Sequence, residues 1–525
     1  MWALAGVGGN RAVCALRSDL MARGVTEHAR ETPDRVALIA PDAVGGVTAR
    51  TYGELDERAQ RLASVLVARG AGPGRPVASA VRNGLEPFEV ATAAAMAGAP
   101  FLPLNWHLKA AELAYLLEDS GAAVVVGHHD LADQLPEPGL GLSRILIGGP
   151  DEATSYEALV AAAPTGTSRD SAAGPELVFY TSGTTARPKG VVHAGLGDPE
   201  VRHAGMSGQA QLWEWDDDDV YVMSGPCYHA SHAGWGLTAL YVGATTVLPA
   251  RFEAEAFLGV IARYGGTRSF MVPAHFIRVL QLPEATREAI DVRSLALVVH
   301  GGAPCPVSIK RKMMAAFPDT AFHELYGASE GGATRIGPEE WLAHPGSVGR
   351  PWPGVEVRVL DGEGNPCPSE TDGIIYIRPP GTQHFSYRND PDATQRAWVD
   401  DAFTVGDIGH LSEDGYLTIT DRVSDMVLWG GVNIAPREIE EVLYEHPDVV
   451  DCAVFGIADA RDGEHLKAVV EVRLPVESDA LAAWVRARLA DYKVPHVWEI
   501  VEELPRDLNG KVLKRLLRES SAQPG

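Results

Sequence analysis

The chain has 525 residues, 46% apolar and 22% charged, a balance that provides for large buried cores and excludes disorder or a fibrous repeat. At roughly 150 residues per domain, the length predicts two to four domains. Acidic side chains outnumber basic ones by 70 to 45, a formal charge of −25, which disfavours nucleic-acid or membrane-surface partners but leaves room for a small anion in a local basic pocket.

The start, Met1-Trp2-Ala3-Leu4, has no basic residue before the first apolar stretch and does not read as a signal peptide. Apolar residues three or four apart predict a helix over Leu55–Val67. The most apolar stretch, Val90–Leu104, is alanine-rich and broken by Pro100 and Pro103, too short and interrupted to span a bilayer. β-rich runs follow at Ala122–Val126 and Leu177–Tyr180, then the acidic run Asp216–Asp219. A second amphipathic helix is predicted over Ala254–Tyr264, with strands at Leu295–Val299 and Ile374–Ile377. This alternation predicts α/β layers with mostly parallel sheets.

Near Asp421–Ser424 the rhythm changes. Pro436 opens a helix through Leu443, strands follow at Val449–Phe455 and Ala468–Val472, then a helix at Ala480–Leu489 and a basic tail. The expected organisation is a large N-terminal domain of layered α/β subdomains, 1–421, and a small α+β C-terminal domain, 422–525. The five cysteines, Cys14, Cys227, Cys305, Cys367 and Cys452, include no C-x-x-C pair. Neither a disulfide framework nor structural zinc is expected, and cytoplasm is the expected compartment.

The stretch Tyr180-Thr181-Ser182-Gly183-Thr184-Thr185-Ala186-Arg187-Pro188-Lys189-Gly190 follows an apolar run and so sits at the C-terminal end of a strand. Hydroxyls, glycines and a lysine at this density can wrap anionic oxygens with N–H and O–H donors. Lys189 precedes Gly190 instead of following it, so this is not a Walker loop. As a generic segment it would be a flexible turn. In this order it is similar to the signature phosphate loop of the AMP-forming adenylating superfamily: acyl-CoA synthetases, luciferases and peptide-synthetase adenylation domains.

The resemblance extends from about Thr26 to Arg515. Tyr326-Gly327-Ala328-Ser329-Glu330 looks like the family's Y-G-x-T-E segment, with serine for threonine. The resemblance implies that Ser329 meets the α-phosphate and that Glu330 helps hold Mg2+, an oxygen ligand for a hard cation. Glu324, just ahead of this segment, falls with it among the expected nucleotide-side residues. Gly301-Gly302-Ala303-Pro304 resembles the turn that lines adenine and the acyl pocket. Gly406-Asp407 matches the family's ribose-gripping carboxylate, and Arg422 the hinge arginine that also reaches the ribose. Pro505, Gly510 and Lys511 match the closing segment, which makes Lys511 the expected catalytic lysine.

The implied chemistry is ATP-dependent adenylation of a carboxylic acid with release of pyrophosphate, then transfer to a thiol, typically coenzyme A, after rotation of the small domain. Ser424 departs from the Asp or Lys common at the hinge. Met426–Ile434, with Gly430 and Gly431, resembles acyl- and aryl-CoA ligases more than peptide-synthetase modules. No carrier-protein segment follows Gly525, so a fused carrier is not expected. Pro226-Cys227-Tyr228-His229 resembles the family's P-x-x-H segment, placing His229 at the mouth of the carboxylate pocket. Trp235 and Val272-Pro273-Ala274-His275-Phe276 are expected to line the acyl pocket together with Gly301, Gly302 and Gly327; the alternative for Trp235 is plain core packing. His275 could bind a substrate heteroatom. A tryptophan and extra histidines favour a compact aromatic or short-chain acid. Two other readings stay open: an adenylating enzyme with a non-CoA acceptor (amide formation, or diazotase-type activation of nitrite for an aryl amine), and a non-catalytic nucleotide-binding relative. The acid's identity and the oligomeric state also stay open.

Overall fold

The structure, a computed structural model, describes residues 22–42, 46–137, 141–166, 173–181, 187–381, 383–459, 463–507 and 510–521. Met1–Leu4, Cys14 and the loop residues Ser182, Gly183, Thr184 and Thr185 lie outside them.

Local rules account for the elements well. The helix Tyr52–Ala68 begins at a capping box: Thr51 accepts from the Glu54 amide, and the Thr51 amide donates to the Glu54 carboxylate at 2.9 Å. Its buried positions, Leu55, Ala59, Leu62, Ala63 and Leu66, recur at helical spacing. The helix Ala254–Tyr264 occupies the expected residues. The apolar stretch at Val90–Leu104 divides into a helix, Glu86–Ala97, buried along most of its length, and a short strand, Phe101–Pro103. Beyond its first turn, where buried Glu89 pairs with Arg50 and Arg58, this alanine-rich helix is apolar on nearly every side and belongs in the interior of a layered fold; no helix among the described residues is long and apolar enough to cross a membrane.

The largest sheet is parallel through Val36–Pro41, Thr245–Val247, Val220–Val222, Arg268–Met271, Leu297–His300 and Ala321–Ala328, in that spatial order. It continues antiparallel through Gly331–Ile336, Ser347–Pro351, Leu417–Arg422, Asp407–Leu411 and Gly373–Arg378. A second sheet is wholly parallel, in the order Phe101–Pro103, Val77–Ala80, Val124–His128, Ser143–Ile147. A small antiparallel sheet joins Phe179–Thr181, Lys189–His193 and Phe385–Tyr387. From Val427 onward the chain builds its own sheet, with the long hairpin Val449–Asp459 and Gly463–Val472 at its centre. The helix Pro436–Tyr444 packs on that hairpin.

Ion pairs brace this frame. In the acidic run, Asp217 and Asp218 pair with Arg35 at the surface, and the largely buried Asp219 pairs with Arg268. The four described cysteines are free thiols, three of them buried. Lys310, fully buried, donates to Glu324 at 2.8 Å and lies 4.6 Å from the Trp341 ring centroid. This pair pins the helix Val307–Ala316 to the strand Ala321–Ala328, which carries Tyr326 and Gly327. Lys310→Met removes the charge at similar length and leaves Glu324 uncompensated, so a loss of about 3–5 kcal/mol is expected in urea denaturation followed by tryptophan fluorescence. An unchanged midpoint would show that the pair is not an anchor.

Candidate active site

In an open α/β sheet, ligands bind beyond the carboxyl ends of the parallel strands, where loops from neighbouring strands converge. Here those ends deliver Ser224–His229, Val272–His275, Gly301–Pro304 and Ser329–Glu330 to one edge. Close packing is built in there: a Cβ on Gly301 would stand 2.5 Å from Leu325 O, and one on Gly327 would stand 2.8 Å from Gly332 Cα. Gly302, Ala303 and Pro304 follow on the rim, Gly302 and Pro304 exposed and Ala303 half-buried.

On one side of the cleft stands Asp407, which is 3% exposed. Tyr326 Oη donates to Asp407 Oδ2 at 2.8 Å, and Arg422 Nε donates to Oδ1 at 2.8 Å. Burial first and Asp407 second push the Tyr326 phenol well above its ordinary range, so it remains a donor. The carboxylate is oriented by a neutral donor and a cation. Ser424, two residues beyond Arg422, is exposed in a turn where the Asp425 amide donates to Arg422 O at 3.0 Å. Glu324, two residues before Tyr326, is turned to Lys310 instead.

The small antiparallel sheet brings the lysine of the Ser/Thr/Gly segment beside Glu330. His193 Nε2 lies 2.9 Å from Ser329 O, tying that sheet to the Tyr326–Glu330 segment. Glu330, 8% exposed, accepts from Tyr387 Oη at 2.8 Å. Lys189 Nζ lies 5.0 Å from the Tyr387 ring centroid and 3.7 Å from Asp390 Oδ2. Thr181 Oγ1 is buried without a hydrogen-bond partner among the described residues. An orphaned hydroxyl, a lysine and a buried carboxylate are a donor set that fits a polyphosphate with a hard divalent cation. Tyr387 and Asp390 did not emerge from the sequence reading; the available signal was Asp390-Pro391, a helix start with proline at its first position.

The other side is rich in imidazole. His229 stands at the N-cap of the helix Ala230–Val242, with Nδ1 2.8 Å from Ser231 Oγ. His232, fully buried one turn on, has no hydrogen-bond partner for either ring nitrogen among the described residues and lies 5.8 Å from the His229 ring and 6.4 Å from His275. His275 Nδ1 contacts the Val272 amide at 3.3 Å and Ser224 Oγ at 3.2 Å, and its ring stacks on Phe252 at 4.0 Å. That nitrogen is therefore engaged in holding its own turn. Burial lowers all three pKa values, His275 to about 3. Trp235 is 7% exposed and packs against Trp213, Trp215, Tyr221 and Phe270 with ring centroids 5.5–6.2 Å apart. Core packing is thus what the structure gives Trp235.

The C-terminal hairpin closes over this edge. The Asp507 amide donates to Lys511 O, and the Lys511 amide donates to Asp507 Oδ1, both at 2.9 Å. Gly510 has φ +80° and packs so tightly that a Cβ there would stand 2.6 Å from Ala274 Cβ. Lys511 is open to water, yet desolvation first and Arg422 second lower its pKa, with Asp425, Asp507 and Asp407 opposing. The His229 pKa responds to Asp507 and Lys511 in turn. One cation therefore lies within electrostatic reach of both sides of the cleft.

Residues 25–384 match the AMP-binding enzyme family, and residues 438–511 match the AMP-binding enzyme C-terminal domain. This chain belongs to the AMP-binding enzyme family. Its AMP-forming adenylating fold also aligns with the solved amide bond synthetase McbA from Marinactinospora thermotolerans at a TM-score of 0.78 and 27% identity, over 95% of this chain and 99% of that one. A feruloyl-CoA synthase of Amycolatopsis sp is 33% identical over 505 residues, 93% of this chain and 97% of the relative. A fatty acid–[acyl-carrier-protein] ligase, ScoC, from Streptomyces coeruleorubidus is 30% identical over 503 residues, 94% of each. The chain is an enzyme of the AMP-forming acid–thiol ligase type, and its adenylation chemistry is that of the acyl- and aryl-CoA ligases.

Two outcomes follow from the geometry of this AMP-binding enzyme. A histidine with a depressed native pKa takes up its proton in the unfolded chain first, so stability falls as pH drops below about 6.5, continuing to about 3 for His275. Denaturation midpoints between pH 7 and pH 4 should show this slope, and His275→Gln should remove up to ~1.4 kcal/mol per pH unit of it; an identical slope would contradict a neutral buried His275. Gly510→Ala meets both a left-handed backbone and a 2.6 Å contact. The closed arrangement should weaken by about 1–2 kcal/mol, or 5–30-fold in adenylation rate, with the thermal midpoint of the N-terminal part retained.

Proposed function

We propose that this AMP-binding enzyme adenylates a small, preferentially aromatic carboxylic acid and passes the acyl group to coenzyme A. The observation that supports the reading is the packing of Gly510 on Ala274, at the start of the helix Pro273–Gln281, beside a Lys511 within electrostatic reach of Arg422, Asp407 and His229. In this reading residues 1–421 form the adenylation domain, and 422–525 the swinging domain that carries the catalytic lysine.

The first step joins a carboxylate oxygen to the α-phosphorus of ATP and breaks the bond to the bridging oxygen, releasing pyrophosphate. Both reactants are anionic, so the protein's task is to gather negative charge and hold the atoms in line. Thr181, Ser182, Gly183, Thr184, Thr185 and Lys189 cradle the polyphosphate, and Ser329 meets the α-phosphate. Asp407 and Arg422 hold the ribose, with Tyr326 orienting Asp407; Gly302, Ala303 and Pro304 border the adenine. Glu330 would hold Mg2+, whose chemistry is charge neutralisation on the phosphate oxygens. Lys511 stabilises charge on the carboxylate and α-phosphate as they join. In the second step the thiol sulfur, losing its proton to solvent, bonds to the acyl carbon while the bond from that carbon to the AMP oxygen breaks and AMP departs.

A compact acid is supported by the packing behind the cleft. Trp235, on the helix that follows His229, packs with four aromatic neighbours, and neutral imidazoles at His229 and His275 suit an aromatic ring better than a second charge. The feruloyl-CoA synthase relative lends the same support. ATP and coenzyme A as substrates favour a cytoplasmic location. A second reading, adenylation followed by transfer to an amine, is favoured by the likeness to an amide bond synthetase and by Ser424 at the hinge.

Pyrophosphate release with ATP, magnesium and a panel of aryl and short acids, nitrite included, should select an aryl acid and rise with coenzyme A. Release indifferent to the thiol, or dependent on an amine, moves the protein to the second reading. Lys511→Ala should lower adenylation by about 10²–10³ with the far-UV circular dichroism spectrum retained; undiminished adenylation would remove Lys511 from the mechanism.

A further inference from the structure

Tyr387 touches both charged groups of the proposed phosphate and metal site. The reason lies in strand register. Tyr387 pairs with Val191 across an antiparallel ladder, so Lys189, two residues from Val191, is its diagonal neighbour on the same face. At that separation the ammonium lies 5.0 Å from the ring centroid, within reach of the ring's negative face. The far end of the same ring carries the hydroxyl that donates to Glu330 Oε1 at 2.8 Å. Only one carboxylate oxygen is used by this bond, which leaves Oε2 of Glu330 for a cation.

The ring itself is held. The Tyr387 amide donates to Thr394 Oγ1 at 2.9 Å, Tyr387 O accepts from the Asp390 amide at 3.2 Å, and the Phe385 ring lies 5.2 Å away. Asp390 completes the group: Oδ1 accepts from the Ala393 amide at the start of the helix Pro391–Ala397, while Oδ2 faces Lys189 at 3.7 Å.

We propose that Tyr387 is a positioning residue that holds the Glu330 carboxylate and the Lys189 ammonium in one frame, so that a divalent cation and the polyphosphate it accompanies are engaged together. The inference rests on the reading that Glu330 holds the cation and Lys189 meets the phosphates. Asp390 is the partner that Lys189 exchanges for phosphate.

Calorimetric titration of the full chain with ATP, without acid substrate, separates the parts when run once with magnesium and once with EDTA. Tyr387→Phe keeps the ring and loses the hydroxyl, so the Kd for magnesium–ATP should rise about tenfold while the Kd for metal-free ATP holds. Manganese–ATP affinity read by electron paramagnetic resonance should fall in parallel. Tyr387→Leu, which also loses the ring, should weaken metal-free ATP as well. Asp390→Asn keeps a good helix cap and should tighten metal-free ATP. Glu330→Gln is the reference. If it abolishes the magnesium preference while Tyr387→Phe leaves both constants unchanged, or raises both equally, the positioning role is overturned. A Glu330→Gln variant that keeps the full magnesium preference overturns instead the placement of the cation at Glu330, and the Tyr387 role with it.

Discussion

The cleft depends on a buried carboxylate that three segments share. Asp407 begins one strand, receives the phenol of Tyr326 from a second and the guanidinium of Arg422 from the end of a third. A carboxylate at 3% exposure is costly unless each oxygen is satisfied. Here both are, and the satisfaction fixes position: the nucleotide-side edge of the parallel sheet, its antiparallel continuation and the residue that leads into the C-terminal sheet are bound to one point. Arg422 is also the second-largest influence on the Lys511 ammonium, so the clasp that organises the cleft also sets the field felt by the lysine that closes it.

The two flanks of the cleft use opposite physics. On the nucleotide flank, ions are partnered and pinned: Lys189 against Asp390 and the Tyr387 ring, Glu330 against the Tyr387 hydroxyl, Glu324 against Lys310. On the acid flank, burial keeps His229, His232 and His275 neutral, and an aromatic cluster around Trp235 fills the space behind them. Under the proposed function, charge is concentrated on the flank assigned to phosphate chemistry and excluded from the flank assigned to the acid. The hairpin ending at Lys511 spans the two, and its close approach at Ala274 is possible because residue 510 has no side chain.

Much of this was legible along the chain. The helices Tyr52–Ala68 and Ala254–Tyr264 follow from periodicity, and the helix Pro436–Tyr444 from its leading proline. Tyr326, Asp407, Arg422 and Lys511 stand in motifs whose order points to adenylation chemistry. What the chain did not disclose was the direction of individual side chains. His275 falls in the first turn of the helix Pro273–Gln281, with its Nδ1 spent on Val272 and Ser224. Trp235 lies in the helix Ala230–Val242, which was not among the expected helices, on a face that meets Trp213 and Trp215. Tyr387 carried no motif because its importance arises from pairing with a distant strand.

The division has a physical cause. Helix caps, turn residues and hydrophobic periodicity act over a few residues, so composition and spacing determined the layered α/β class and the small C-terminal unit, while the adenylating chemistry was implied by the resemblance of the Tyr180–Gly190 and Tyr326–Glu330 motifs to the AMP-forming superfamily. Tertiary structure decided what depends on register and burial: that Tyr326 meets Asp407 across 81 positions, that Lys189 shares a sheet face with Tyr387, and that Gly510 rests on Ala274. A β ladder sets which residues become neighbours by alignment and not by sequence distance, and burial sets whether an imidazole is an ion or a ring. Neither quantity is carried by any short stretch of the chain.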